Sequence, residues 1–404
     1  MSSNGVGVVL ALTAGLGLAA LPPAAAGGPA LSDNPLEGRL LFESKGCHQC
    51  HGLAGSGAAI GPNLGEGRFS GSFLDLGAAL WDHVPGMRVA FEAAGMEWPT
   101  LTPDEAGRLI GFLYFIDYLG RPGDARAGEE VFAARGCAAC HTLGEGRRKV
   151  GPDLSELRRF ASPLFIAQSI WNHGPSMLES MRALDVRPPT FEQGDLADLS
   201  AFIRQRARPG PQERVLLAPG NPNVGRELFR TQGCAACHGD GGRGGTGGPD
   251  LTRVGLQRSA EGIAGTMWNH ALAMSEVMAQ RGIGWPEFTT SELADVVAFL
   301  YFLPFADPPG DPARGERVFT TRSCAGCHGG GSAAREGPDL AGTDAASSPE
   351  ALVAAMWSHA PVMSEAILAE GRPWPLLTGE DLRDLLAFLG KQAKEEPATP
   401  TGGR

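Results

Sequence analysis

The sequence predicts an all-α chain built from four tandem helical units. Three observations carry that reading. The pattern C-x-x-C-H occurs four times, at Cys47–His51, Cys137–His141, Cys234–His238 and Cys324–His328. The first cysteines of successive copies are 90, 97 and 90 residues apart. The same order of helix signals and turn signals recurs around each copy, with no strand-rich run between them. A fixed period of this kind marks a tandem array. A chain of 404 residues is also too long for one core and suits several small ones.

Each unit opens with a short helix that reads G-x-x-x-F: Gly38–Phe42, Gly128–Phe132, Gly225–Phe229 and Gly315–Phe319. The C-x-x-C-H pattern follows. A Gly-rich loop then leads to Gly61-Pro62, Gly151-Pro152, Gly248-Pro249 or Gly337-Pro338. A further helix carries a Trp and a His, and a last helix closes the unit. In the first unit that helix opens with Thr102-Pro103-Asp104-Glu105. Thr102 can cap it, Pro103 suits its first position and the acids suit its N-terminus.

All eight cysteines of the chain lie in the four patterns. C-x-x-C-H is the attachment signature of a c-type haem. Two thiols three positions apart can bond the two vinyl groups of one haem. The next residue then presents its imidazole to the iron. Structural zinc knuckles need no histidine directly after each pair. A thioredoxin-like motif occurs once, near a βαβ pattern. Disulfides of this spacing would be strained small loops. The candidate cofactor-binding residues are therefore Cys47, Cys50, His51, Cys137, Cys140, His141, Cys234, Cys237, His238, Cys324, Cys327 and His328, holding four covalent haems c.

Eight of the nine histidines fall into two sets of four. The second set, His83, His173, His270 and His359, lies in W-x-H-x-x-x-M: Trp81-His83-Met87, Trp171-His173-Met177, Trp268-His270-Met274 and Trp357-His359-Met363. Haem iron accepts either His or Met as an axial ligand. His and Met four apart share a helical face, so either can approach the iron. Pro85, Pro175 and Pro361 disfavour helical geometry in the residue before them. This places the His in a last helical turn and the Met in the loop that follows. Unit 3 has Leu272 instead of the proline. Trp and His two apart point in nearly opposite directions on a helix, so the Trp is expected against a haem edge or a neighbouring unit. Trp98, Trp285 and Trp374 form a second set, each before a proline, and are assigned to packing. The second unit has Arg187-Pro188-Pro189 there. His48 reads as a surface residue, and Met96 is an outside ligand candidate in unit 1.

This layout resembles the class I cytochrome c family over residues 33–394. The resemblance implies four tandem domains, at 33–120, 121–208, 219–306 and 309–394, each with three to four helices wrapped around a haem. It implies that Gly38, Gly128, Gly225 and Gly315 meet Phe112, Phe202, Phe299 and Phe388 where first and last helices cross. It implies that Pro62, Pro152, Pro249 and Pro338 turn a carbonyl to the imidazole of the haem motif, raising its basicity. For the iron it implies His51, His141, His238 and His328 on one side. Met87, Met177, Met274 and Met363 are implied on the other, supplied from a loop as is usual in the family. His83, His173, His270 and His359 are the alternative sixth ligands.

The domains are expected to pack as two dihaem pairs, 1 with 2 and 3 with 4, because those connections are short. The last helices of units 1 and 3 are apolar all round, at Gly111–Ile116 and Ala298–Leu303, which calls for cover on more than one side. Those of units 2 and 4 end in Arg204, Arg206 and Arg208, or Lys391 and Lys394, which suit solvated C-termini.

Residues 1–26 carry no Lys, Arg, Asp or Glu, hold an apolar run from Val6 to Leu21 and end in Ala24-Ala25-Ala26. They read as a signal peptide, without the usual basic start. No later stretch is expected to span a bilayer. Residues 395–404 read as a disordered tail. The formal net charge of −11 gives no reason to bind nucleic acid and favours a basic face on a redox partner. The expected function is electron transfer through six-coordinate haems in the periplasm or an equivalent exported location. The expected partners are redox proteins or a membrane-bound respiratory complex. The alternative is a haem enzyme, or a cytochrome subunit of an oxidoreductase complex, with one open haem site.

Overall fold

The computed structural model describes residues 32–53, 60–65, 71–144, 149–160, 162–207, 219–254, 259–329, 337–340 and 343–395. The expected signal peptide and residues 396–404 lie outside them. The described residues form helices, with two isolated β-bridges. Unit 1 holds α1 (Glu37–Ser44), α2 (Phe73–Asp82), α3 (Val84–Ala93) and α4 (Pro103–Phe115). Unit 2 holds α5 (Ala125–Ala134), α6 (Cys137–Cys140), α7 (Pro163–Ala183) and α8 (Asp195–Arg206). Unit 3 holds α9 (Pro222–Thr231), α10 (Ala235–His238), α11 (Ala260–Asn269), α12 (Ala271–Gln280) and α13 (Thr290–Phe302). Unit 4 holds α14 (Pro312–Thr321), α15 (Cys324–His328), α16 (Pro349–Ala369) and α17 (Gly379–Glu395). Glu395, expected at the start of the tail, is still helical.

Local chemistry sets the helix starts. Ser72 with Asp75, Thr102 with Glu105 and Thr289 with Glu292 form capping boxes at α2, α4 and α13. Ser162, Ser259 and Ser348 cap α7, α11 and α16 through their hydroxyls. First and last helices cross in every unit, and the crossing leaves no room for a side chain. A Cβ on Gly38 would overlap the Arg108 carbonyl oxygen. One on Gly128, Gly225 or Gly315 would overlap the carbonyl of Asp198, Asp295 or Asp384. One turn on, Phe42 meets Phe112, Phe132 meets Phe202, Phe229 meets Phe299 and Phe319 meets Phe388, with ring centroids 6.0, 5.7, 5.2 and 5.6 Å apart.

The packing of units on one another departs from the expected order. Helices α16 and α17 of unit 4 pack on α2 and α4 of unit 1. Helix α11 of unit 3 packs on α7 and α8 of unit 2, and α13 on α7. The pairs are therefore 1 with 4 and 2 with 3, not 1 with 2 and 3 with 4. Tryptophan makes the contact. Trp81 stacks on Trp374, Trp98 on Trp357 and Trp171 on Trp285, at 4.2, 4.4 and 4.4 Å between ring centroids. The indole N–H groups of Trp81, Trp357, Trp171 and Trp268 donate to the carbonyls of Pro375, Pro99, Pro286 and Pro189 at 2.7–2.8 Å. Those of Trp98, Trp285 and Trp374 donate to the carbonyls of Trp357, Trp171 and Trp81 at 2.9, 3.0 and 3.1 Å.

A pseudo-two-fold relates units 1 and 2 to units 3 and 4. Tyr114 and Tyr301, 187 residues apart, exchange bonds: each hydroxyl donates to the other's backbone carbonyl, at 3.3 and 2.5 Å. Reciprocal contact of equivalent residues is the mark of an isologous interface. Phe115, Tyr118, Phe302 and Phe305 complete an aromatic cluster about this point. The apolar faces of α4 and α13 are thus covered by each other. Helix α16 has the length and apolar composition of a membrane span, contrary to expectation. It packs on α2, α3 and α4 of unit 1 with Leu352, Val353, Trp357 and Ala360 buried, while Val362 and Leu368 are exposed. A cut engineered between Arg208 and Gly220 should therefore leave one particle in size-exclusion chromatography. Two separate halves after cutting would contradict the crossed pairing.

In units 2 to 4 an acid on the last helix ties down the start of the first. Asp198, Asp295 and Asp384 accept the amides of Asp124, Asn221 and Asp311 at 2.7, 2.7 and 2.6 Å. Arg121 and Arg314 also reach Asp198 and Asp384. No ion pair of this kind stands at Asp295 among the described residues. Burial pushes the Asp295 carboxyl up, and the Asn221 amide offsets only part of that. At Asp384 burial acts in the same sense, but the Arg314 guanidinium and the Asp311 amide outweigh it and hold the carboxyl low. Ionised Asp295 therefore costs stability as pH rises through the raised value. Ionised Asp384 contributes stability that is lost as pH falls through its lowered value. Thermal melts should show Asp295→Asn raising Tm at pH 7 with a smaller effect at pH 4. Asp384→Asn should lower Tm at pH 7. Equal shifts for the two variants would contradict the assignment.

Candidate haem-binding sites

Each C-x-x-C-H segment forms one tight turn. The residue before it takes a left-handed backbone: Gly46 at φ 82°, Gly136 at 78°, Gly233 at 86° and Ser323 at 66°. The chain thereby leaves the first helix and starts the turn at once. Amides of His51, His141 and His238 donate to the carbonyls of Cys47, Cys137 and Cys234 at 2.9–3.0 Å. Residues three and four apart in such a turn share a face. The two thiols and the imidazole therefore belong to one side of the segment. All eight cysteines are free of disulfides. Burial pushes the thiols of Cys47, Cys137 and Cys234 up to about 11, and raises that of Cys324. These first cysteines sit as neutral thiols against apolar surface, a setting that fits a porphyrin edge.

The imidazoles are held from behind. Nδ1 of His51, His141, His238 and His328 lies 3.1, 3.0, 3.2 and 3.0 Å from the carbonyl oxygens of Pro62, Pro152, Pro249 and Pro338. A carbonyl only accepts, so Nδ1 carries the proton and Nε2 keeps its lone pair for a metal. The glycine before each proline is fixed by the same ring. A Cβ on Gly61, Gly151, Gly248 or Gly337 would come within 2.6–2.7 Å of the imidazole. In units 1, 2 and 4 that glycine's amide also donates to the carbonyl of Cys50, Cys140 or Cys327. Sequence reasoning read Gly-Pro through the proline alone. The glycine is the second half of the device.

The other histidines and the methionines are placed differently from expectation. Met87, Met177, Met274 and Met363 stand inside α3, α7, α12 and α16, not in loops. His83 and His270 sit at the joints α2–α3 and α11–α12. His173 and His359 lie within α7 and α16, which run through Pro175 and Pro361. The tryptophan contacts replace the bond that each proline withholds, although in unit 1, which has both, the helix still breaks at His83. A helical proline withholds the N–H owed to the carbonyl four residues back. For Pro85, Pro175 and Pro361 those carbonyls belong to Trp81, Trp171 and Trp357. They are the three that accept indole N–H groups from the partner unit. In unit 3, Leu272 keeps its N–H, and unit 2 has Pro188 where a fourth indole would stand. Proline and cross-unit tryptophan are present together and absent together.

All four methionine side chains are half-buried against the apolar core. His83, His173, His270 and His359 are exposed. Their Nδ1 atoms lie 2.6–2.9 Å from the carbonyls of Ala79, Ser169, Thr266 and Ala355, one turn back on their own helices. His48 is also exposed. Met96 reaches Gly46 with its terminal methyl. In units 3 and 4, Arg281 and Arg372 lie against the second cysteine, with a guanidinium nitrogen 3.6 Å from Cys237 Sγ and 3.8 Å from Cys327 Sγ. The sequence patterns did not flag these arginines.

The glycine contact yields a test. Gly248→Ala should displace His238 and break its bond to Pro249. The third unit should then lose haem attachment or low-spin ligation, seen as a fall in haem absorbance per chain. Full loading with native spectra would show that the ring tolerates a methyl there.

Comparison with known proteins adds the family evidence. The cytochrome c family model matches residues 223–303. The model for cytochrome c oxidase, cbb3-type, subunit III matches residues 310–389. No curated protein and no solved structure matches the chain. The two matches fall on units 3 and 4, on the turns and helices described above. They support a c-type cytochrome: a protein that binds haem c covalently and carries electrons.

Proposed function

We propose that the chain is an exported tetrahaem c-type cytochrome that passes electrons between redox partners. The observation that carries this reading is the fourfold bond from a C-x-x-C-H imidazole to a Gly-Pro carbonyl. Units 1 and 2 share that geometry with units 3 and 4. On this reading the domains run 33–120, 121–208, 219–306 and 309–394. Each binds one haem through its two cysteines, with His51, His141, His238 or His328 on the iron.

The sixth ligands are Met87, Met177, Met274 and Met363. Their packing into the core supports this, while the paired histidines are exposed and tied to their own helix backbone. A thioether ligand favours reduced iron and raises the potential relative to bis-histidine ligation. When bound, the haems supply the one-electron redox chemistry. The chain would hold the imidazoles by hydrogen bonds and set the first cysteines and the methionines against apolar side chains. Export, with residues 1–26 as signal peptide, fits a cofactor that is attached outside the cytoplasm. The partners are redox proteins or a membrane-bound respiratory complex, and the acidic charge favours a basic docking face on them.

Protein from a host that matures c-type cytochromes should show four haem additions by mass spectrometry. Met87→Ala should abolish the sulfur-to-iron charge-transfer band of one haem in magnetic circular dichroism. His83→Ala should leave that band in place. Fewer additions, with free thiols in one motif, would contradict the haem count. A high-spin haem in the His83 variant alone would contradict the ligand choice.

A further inference from the structure

Three tryptophans run from a haem-attachment segment to a different unit. Met96 lies against Gly46, with its methyl 2.9 Å from where a Cβ would stand, and Trp98 two residues later stacks on Trp357. Ile283 lies against Gly233, and Trp285 two residues later stacks on Trp171. Arg372 lies against Gly326 and Cys327, and Trp374 two residues later stacks on Trp81. In the fourth case the run stops at both ends. No described residue stands within 4 Å of a Cβ at Gly136, and Pro188, just before the Pro189 that accepts the Trp268 indole, occupies the tryptophan position.

We propose that Trp98, Trp285 and Trp374, with the tryptophans they stack on, are the electronic contacts through which electrons pass between units. Units 1 and 4 are joined by two such contacts, and units 2 and 3 by one. This rests on the haem-binding reading above. Tunnelling falls off far more slowly through bonded and stacked atoms than across gaps. Each contact offers closely packed rings and a hydrogen bond to a partner tryptophan six residues before that unit's candidate ligand. From Trp98 the bond enters α16 at Trp357, six residues before Met363. From Trp285 it enters α7 at Trp171, six residues before Met177. In each transfer one electron leaves a ferrous iron of one unit, which becomes ferric, and a ferric iron of the other becomes ferrous. The indoles stay neutral throughout, and no proton moves. The pairs that exchange are therefore 1 with 4 and 2 with 3.

The test uses the full chain after mass spectrometry has confirmed haem loading, so loss of haem and loss of coupling are told apart. Exchange between haems is read from broadening of haem-methyl proton resonances in partly reduced samples. The double variant Trp98→Leu, Trp374→Leu should slow exchange between units 1 and 4 severalfold and leave that between 2 and 3 unchanged. Pro188→Trp should speed exchange between units 2 and 3. That gain does not depend on the double variant folding. Unchanged exchange in the loaded double variant would overturn the proposal, as would a Pro188→Trp protein with no faster exchange.

Discussion

The assembly depends on one interaction: an indole N–H given across a unit boundary to a backbone carbonyl. All seven tryptophans of the chain make it. A buried indole must place its N–H on an acceptor, because an unsatisfied donor costs about 1–3 kcal/mol. Here every acceptor lies in another unit, so separating the units strands both partners at once. The stacked pairs add apolar burial, and pair geometry contributes about 0.5–1.5 kcal/mol each beyond area. Small domains cover little of their own surface. For units of some ninety residues, these contacts are what turns four small cores into one body.

The same interaction reaches the candidate iron sites. Each α2, α7 or α16 carbonyl that receives an indole is one that a helical proline has left short of a donor. Alone, such a proline would favour a kink and a loop. With the indole in place, α7 and α16 run straight through it, and the His and Met that follow keep helical geometry. The position of Met177 or Met363 is therefore set partly by a residue in a different unit. The proximal side is closed locally: glycine, proline and imidazole lie within a dozen residues of one another. One side of each site is built within a unit and the other is braced from outside it.

That division explains what the sequence made legible. The helices, their caps, the glycine–phenylalanine crossings and the proline carbonyl behind each imidazole all follow from contacts within one period. Repetition of the pattern exposed them. Pairing order was not legible, because short connections limit how far units 1 and 2 can separate without requiring them to touch. The apolar faces of Tyr114-Phe115 and Tyr301-Phe302 announced a need for cover. They carried no mark of their partner, which is each other. Placing the methionines in loops failed for a similar reason. Pro175 and Pro361 were read against a bare helix, when the missing bond is made good by Trp285 and Trp98. Gly61 and its equivalents read as turn formers, because their real constraint is a ring nine or ten residues away.

The departures from symmetry then fall into order. Pro188 and Leu272 are two places where a unit breaks the repeated pattern, and both lie at the contact around Trp268. A carbonyl without a donor is costly when buried. A proline at position 272 would leave the Trp268 carbonyl short of a bond that Pro188 does not supply as an indole would. Leucine, with its N–H, removes the need. A tryptophan at position 188 could still give its N–H to that carbonyl, which has a second lone pair. The contact between units 2 and 3 keeps Trp171, Trp268 and Trp285, so it stays closed. It has one fewer stacked pair than the contact between units 1 and 4, and that difference makes the two halves of an otherwise two-fold molecule unequal.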